Sequence, residues 1–92
     1  MATEAPYEVL LSRGARRTLD ETLPRGAAFA AYEFIYGPLA DNPRRLGAPL
    51  KAPFEGFYRA RRGEYRIRYR IDDAGRRIFV HDVDHRRDAY HS

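Results

Sequence analysis

Glu64-Tyr65-Arg66-Ile67-Arg68-Tyr69-Arg70-Ile71 is the stretch on which the reading of this chain turns, because Tyr65, Ile67, Tyr69 and Ile71 alternate strictly with Arg66, Arg68 and Arg70. Period two is the repeat of a β-strand, whose successive side chains point to opposite faces, so one face is apolar and the other is a row of three guanidiniums. Residues 57–62 and 76–83 are further strand candidates, joined to this one by Arg62-Gly63 and by Asp72-Asp73-Ala74-Gly75. Both joints carry turn residues, which predicts an antiparallel meander. Arg59 and Arg61 repeat the basic parity, and the window 51–70 holds seven basic residues against two acidic, so the charge lies on a sheet. Ile78-Phe79-Val80 lacks alternation and reads as a central strand buried on both sides.

Upstream, Tyr7, Val9 and Leu11 share one face of a short N-terminal strand. Ser12 then suits a helix N-cap, and Ala15, Leu19 and Leu23 recur at spacing four, predicting an amphipathic helix over 12–22. Pro24 breaks that pattern and opens a second helix with an apolar face of Ala27, Ala31, Phe34 and Ile35, expected to end at Gly37-Pro38. Residues 37–54 contain Gly37, Pro38, Pro43, Gly47, Pro49 and Pro53 and are expected to form an irregular connection. Tyr7, Tyr32, Tyr65 and Tyr69 fall on apolar faces and are expected in the core. The fold class is therefore α+β: an N-terminal strand, a helical hairpin, then a three-stranded antiparallel meander covered on one face by the hairpin.

Ninety-two residues suffice for one domain, taken as 1–92, and exclude a multidomain enzyme. Lys and Arg number 17 against 13 Asp and Glu, a net charge of +4. Residues 1–46 carry six of each sign, whereas residues 47–92 carry eleven basic and seven acidic, so the excess sits in the C-terminal half. That distribution favours an acidic partner such as nucleic acid or an acidic polypeptide. Sixteen of the 17 are arginine, part of which a GC-rich genome would produce by itself. With no cysteine, disulfides and Cys-containing zinc sites are excluded, and the three histidines lack metal-ligand spacing; no metal and no cofactor are expected. The longest apolar run, 27–36, is interrupted by Glu33 and falls far short of the ~20 residues needed to span a bilayer. No secretory signal is recognisable, so a cytoplasmic location is expected.

An arginine-striped sheet face suits phosphate, since each guanidinium is permanently charged and donates two parallel hydrogen bonds; the alternative is a merely solvated face. The tail His85-Arg86-Arg87-Asp88-Ala89-Tyr90-His91 gathers an imidazole, guanidiniums and an aromatic ring within seven residues, types fitted to acid–base and stacking work on RNA. A solvated terminus is its plainer reading. His81, beside Asp82, reads as a packed or surface residue. Glu33 and Glu55 have no carboxylate partner at a diagnostic spacing, and Gly-rich phosphate loops and nucleophile elbows are absent.

The string NPRRLGAPLKAPFEGFYRARRGEYRIRYRIDD, followed by a short strand and HRRDAY, resembles the RelE family within the RelE/ParE toxin superfamily, and the likeness covers nearly the whole chain. Its most specific parts are Gly63, Tyr65, Arg66 and Tyr69, and then His85, Arg86, Asp88 and Tyr90. The resemblance implies a fold like that of small microbial ribonucleases and a toxin of a type II toxin–antitoxin system that cuts mRNA in the ribosomal A site. The partners it implies are the ribosome with its mRNA and a cognate antitoxin, held with the toxin as a hetero-oligomer. The implied reaction is metal-independent: a 2′-hydroxyl attacks the adjacent phosphorus, leaving a 2′,3′-cyclic phosphate and a 5′-hydroxyl. Carried over by position, the family's basic pair on the first meander strand falls on Arg59 and Arg61, its middle-strand arginine on Arg66, its C-terminal arginine on Arg86 and its functional tyrosine on Tyr90. Arg66 and Arg86 are then expected to stabilise charge, and Tyr90 or His85 to move protons. Arg59 and Arg61, with Arg68 and Lys51 of the same basic window, are expected to grip neighbouring phosphates. Two rival readings share the fold: a ParE-like DNA gyrase inhibitor without nuclease activity, and a member that binds antitoxin or RNA without cutting.

Overall fold

In the computed structural model, which describes residues 6–85, the chain begins with β1 (Glu8–Leu11) and turns at Ser12 into α1 (Arg13–Arg17). The Ser12 hydroxyl accepts a hydrogen bond from the Ala15 amide at 2.9 Å and donates one to the His81 carbonyl at 2.7 Å. One side chain thus satisfies an orphan helix amide and ties the helix start to the sheet. Ser12→Ala is expected to cost about 1–2 kcal/mol of stability, read as a lower denaturant midpoint at unchanged slope.

α1 continues through a wider, π-type turn over Thr18–Thr22, and α2 (Arg25–Phe34) follows Leu23 and Pro24. The second helix does not stop at Gly37-Pro38: its backbone runs on through Ile35–Leu39 with Pro38 inside. A proline ring clashes with the carbonyl four residues back and supplies no amide donor. The wider turn opens that spacing, and the Ala40 amide reaches back five residues to the Ile35 carbonyl. The expected irregular stretch 37–54 also contains α3 (Pro43–Leu46) and a two-residue strand, β2 (Ala48–Pro49). Pro49 is tolerated because β2 is an edge strand, where one side of the backbone needs no donor.

The meander is β3 (Tyr58–Arg62), β4 (Tyr65–Asp72) and β5 (Arg77–His85), and the sheet runs in the order β1-β5-β4-β3-β2 with only β1 parallel to its neighbour. Arg62 pairs with Tyr65 across a two-residue turn whose first residue, Gly63, has φ +61°, the conformation a II′ hairpin needs there. Ala15, Leu19, Ala31, Phe34, Ile35 and Leu39 from the helices pack on Ala60, Tyr65, Ile67, Tyr69, Ile78, Val80 and Val83 of the sheet. β5 is internal, as expected, but not buried on both sides. Ile78 and Val80 are buried, while Phe79 lies half-buried on the open face. Among the described residues no helix is long and apolar enough to cross a membrane.

Of the four tyrosines expected in the core, Tyr65 and Tyr69 are buried, whereas Tyr7 and Tyr32 are half-buried with their hydroxyls bonded to Asp73 and Asp20. The Asp20 carboxylate, then burial, push Tyr32 up to about 12, and burial raises Tyr65 and Tyr69 above the ordinary phenol value. Folding therefore favours the protonated phenols. Their contribution is complete below the unfolded value near 10 and is lost as pH rises through the folded values. Stability is expected to fall steadily between pH 10 and about 12 in alkaline titrations followed by circular dichroism, and Tyr32→Phe should flatten that fall.

Candidate nucleic-acid interface on the open face of the sheet

The helices cover one face of the sheet, and the register of the strands decides what the other presents. Arg59 on β3 stands opposite Arg68 on β4, and Arg61 opposite Arg66. Like charges directly opposite one another destabilise a sheet, and two such pairs side by side concentrate positive charge on this face. On the other flank of β4, Asp82 of β5 stands opposite Arg68 and Asp84 opposite Arg66. Two cross-strand rows result: Arg59, Arg68, Asp82 and Arg61, Arg66, Asp84.

The acidic ends of those rows depend on a β-bulge. Tyr69 pairs with Val80 but Arg68 pairs with Asp82, so His81 is an extra residue on β5. A bulge reverses the inward–outward parity of everything beyond it. Ile78 and Val80 face the helices before it and Val83 after it, which turns Asp82 and Asp84 onto the arginine face.

The two rows differ in how their groups are engaged. Arg68 is ion-paired with Asp82 and lies over the rings of Phe54 and Phe57, 4.8 and 5.4 Å from their centroids. Phe57 also meets the edge of the His81 ring at 4.9 Å and carries Arg70 at 5.7 Å. Arg68 is therefore an anchored charge built into the floor. Arg59, Arg61 and Arg66 form no ion pair among the described residues and are free to bind an anion. Leu50, Phe54, Arg59, Arg66, Arg68 and Asp84 enclose a cleft of ≈ 160 Å³ in which apolar walls flank the guanidiniums.

Of the residues nominated from sequence, Arg59, Arg66 and Arg68 meet in this cleft. Arg61 lies beside it across from Arg66, and Lys51 is exposed one residue beyond Leu50 on the rim. His85 is not brought to this face. It pairs with Tyr65, shares the parity of buried Val83, and its Nε2 lies 3.8 Å from the Glu64 carboxylate. Arg86 and Tyr90 lie outside the described residues. Sequence reasoning missed Asp84. The signal was present in the spacing of Ile78, Val80 and Val83, two residues and then three, which marks an inserted residue in a strand.

The sheet therefore has one face under helices and the other set with arginines around a small cleft, a surface whose chemistry suits an anion. Comparison with known proteins makes this specific. The family model for the ParE toxin of type II toxin–antitoxin systems (parDE) matches residues 9–90, and the chain belongs to this RelE/ParE toxin family. Toxin RelG of Mycobacterium tuberculosis (strain ATCC 25618 / H37Rv) is 45% identical over 85 residues, covering 92% of this chain and 97% of that protein. Toxin RelE of the same organism is 42% identical over 90 residues, covering 98% and 92%. The crystal structure of the toxin–antitoxin complex RelBE2 from Mycobacterium tuberculosis contains a chain of the same fold, with a TM-score of 0.86 at 41% identity, covering 94% of this chain and 98% of that one. The protein is a toxin of a type II toxin–antitoxin system.

Proposed function

We propose that this toxin is a ribosome-dependent endoribonuclease that cuts mRNA in the A site without a catalytic metal, by attack of a 2′-hydroxyl on the adjacent phosphorus. The observation that carries this reading is the open arginine face, where Arg59, Arg61 and Arg66 stand together beside a cleft while Arg68 is held in place by Asp82. A phosphorane gathers negative charge as it forms, and fixed guanidiniums stabilise it without reorganising. Arg66 is the principal charge stabiliser in this scheme, with Arg59 and Arg61 on flanking phosphates. Arg86 and Tyr90 join them from the C-terminal segment by the family resemblance.

Likeness to a toxin solved together with its antitoxin supports a cognate antitoxin as this chain's partner, in a hetero-oligomer that silences it. An acidic, amphipathic segment suits the basic sheet and the exposed Phe29 and Tyr36 of the second helix. Primer extension on mRNA from a translating extract, run beside a gyrase supercoiling assay on the same preparation, tests the reading. Cuts at codon-spaced positions with normal supercoiling are expected. Intact mRNA with blocked supercoiling would move the protein to gyrase inhibition.

A further inference from the structure

We propose that Asp84 is the general base of this reaction, taking the proton from the attacking 2′-hydroxyl; the proposal rests on the nuclease reading above and assigns a role that reading leaves open. The bulge at His81 is what delivers Asp84 to the cleft. Without the extra residue, the alternation of β5 would turn Asp84 toward the helices and Val83 toward solvent. With it, Asp84 lines the cleft together with Arg59, Arg66 and Arg68.

Proton acceptors in that cleft are scarce. A guanidinium stays protonated and has no acceptor lone pair, and the Leu50 and Phe54 side chains offer none either. Asp84 is thus the one proton-accepting side chain among the described residues that line it. His85, nominated from sequence for this task, pairs with Tyr65 on the helix side of the sheet.

A counter-ion role would leave a different arrangement. Asp82 closes on Arg68 as a counter-ion does, but Asp84, opposite Arg66 in the same register, forms no hydrogen bond or ion pair among the described residues. A carboxylate in a phosphate-binding row also weakens the hold on RNA, since it repels the backbone that the arginines attract. Binding alone therefore does not account for it.

In the step itself, the Asp84 carboxylate accepts the proton of the 2′-hydroxyl as the 2′-oxygen bonds to phosphorus and the bond from phosphorus to the 5′-oxygen breaks. Arg66 holds the phosphorane charge, with Arg59 on a flanking phosphate. The departing 5′-oxygen takes a proton from solvent and Asp84 returns its own to solvent, so the products are a cyclic phosphate and a hydroxyl with no net proton change.

The test is single-turnover cleavage by the full chain at saturating ribosomes programmed with a short mRNA, comparing wild type with Asp84→Asn, Asp84→Glu and Arg66→Ala. Asp84→Asn keeps the shape of an exposed strand residue, and a thermal melt checks its fold. The expected result is a rate about 10²- to 10⁴-fold lower for Asp84→Asn, partial recovery in Asp84→Glu, and ribosome affinity equal to wild type or tighter. Asp84→Asn cutting at the wild-type rate while Arg66→Ala is inactive would overturn the role of Asp84 and leave the site standing. Wild-type rates in both variants would overturn the site, and the proposal with it.

Discussion

Arg66→Ala is expected to slow mRNA cleavage by about 10²-fold or more while the domain stays folded. The side chain projects from near the start of β4 onto the open face, away from the core that Tyr65 and Ile67 build on the other side of the same strand. Losing it removes a charge set against the cleft without opening a cavity among the helices. The deficit should appear in the chemical step, because charge on the phosphorane exists only in the transition state. Arg61→Ala offers the contrast. Exposed and outside the cleft lining, Arg61 is expected to contribute mainly to affinity, and its loss should weaken binding and flatten its salt dependence. Single-turnover rates measured across ribosome concentrations separate the two effects.

The second large effect concerns stability. Tyr69→Ala is expected to cost about 3–5 kcal/mol, a large share of the 5–15 kcal/mol that holds a typical domain together. Tyr69 is fully buried at the centre of β4, its ring stacked at 5.8 Å on Tyr58 and its hydroxyl donating to the Pro43 carbonyl at 2.6 Å. That bond joins the sheet to α3. Gly47 completes the fit, since a Cβ there would come within 2.1 Å of the same hydroxyl. Tyr69→Phe keeps the ring but leaves the Pro43 carbonyl without its donor, an expected loss of about 1–3 kcal/mol. Denaturant unfolding of both variants separates the volume from the hydrogen bond.

The strict alternation over residues 65–71 is why the sheet and its two faces were legible in the sequence. Each apolar residue there packs under the helices and each arginine faces away, with no irregularity inside the strand. The hairpin turn at Gly63 and the cap at Ser12 were legible for a similar reason: a single residue supplies the chemistry that the backbone needs locally. What escaped depended on nonlocal compensation. Pro38 reads as a helix stop, yet the wider turn around it keeps the helix going. Asp84 was missed and His85 nominated from the chemistry of the tail, whereas one inserted residue on β5 turns Asp84, not His85, toward the arginines. Periodicity predicts a face only while the period holds, and a bulge is a break in the period that tertiary pairing sets. Arg59, Arg61 and Arg66, the positions the resemblance named on β3 and β4, share one surface because they lie on regular strands in register.

In the proposed function the arginine face performs phosphoryl transfer on mRNA through a ribose 2′-hydroxyl. The most direct measurement uses two mRNAs programmed into ribosomes, identical except that one carries a single 2′-deoxynucleotide at the nucleotide 5′ to the cut. The ribose mRNA is expected to be cut, ending in a 2′,3′-cyclic phosphate and a 5′-hydroxyl, and the deoxy mRNA to remain whole. Equal cutting of both, or of neither, would contradict it.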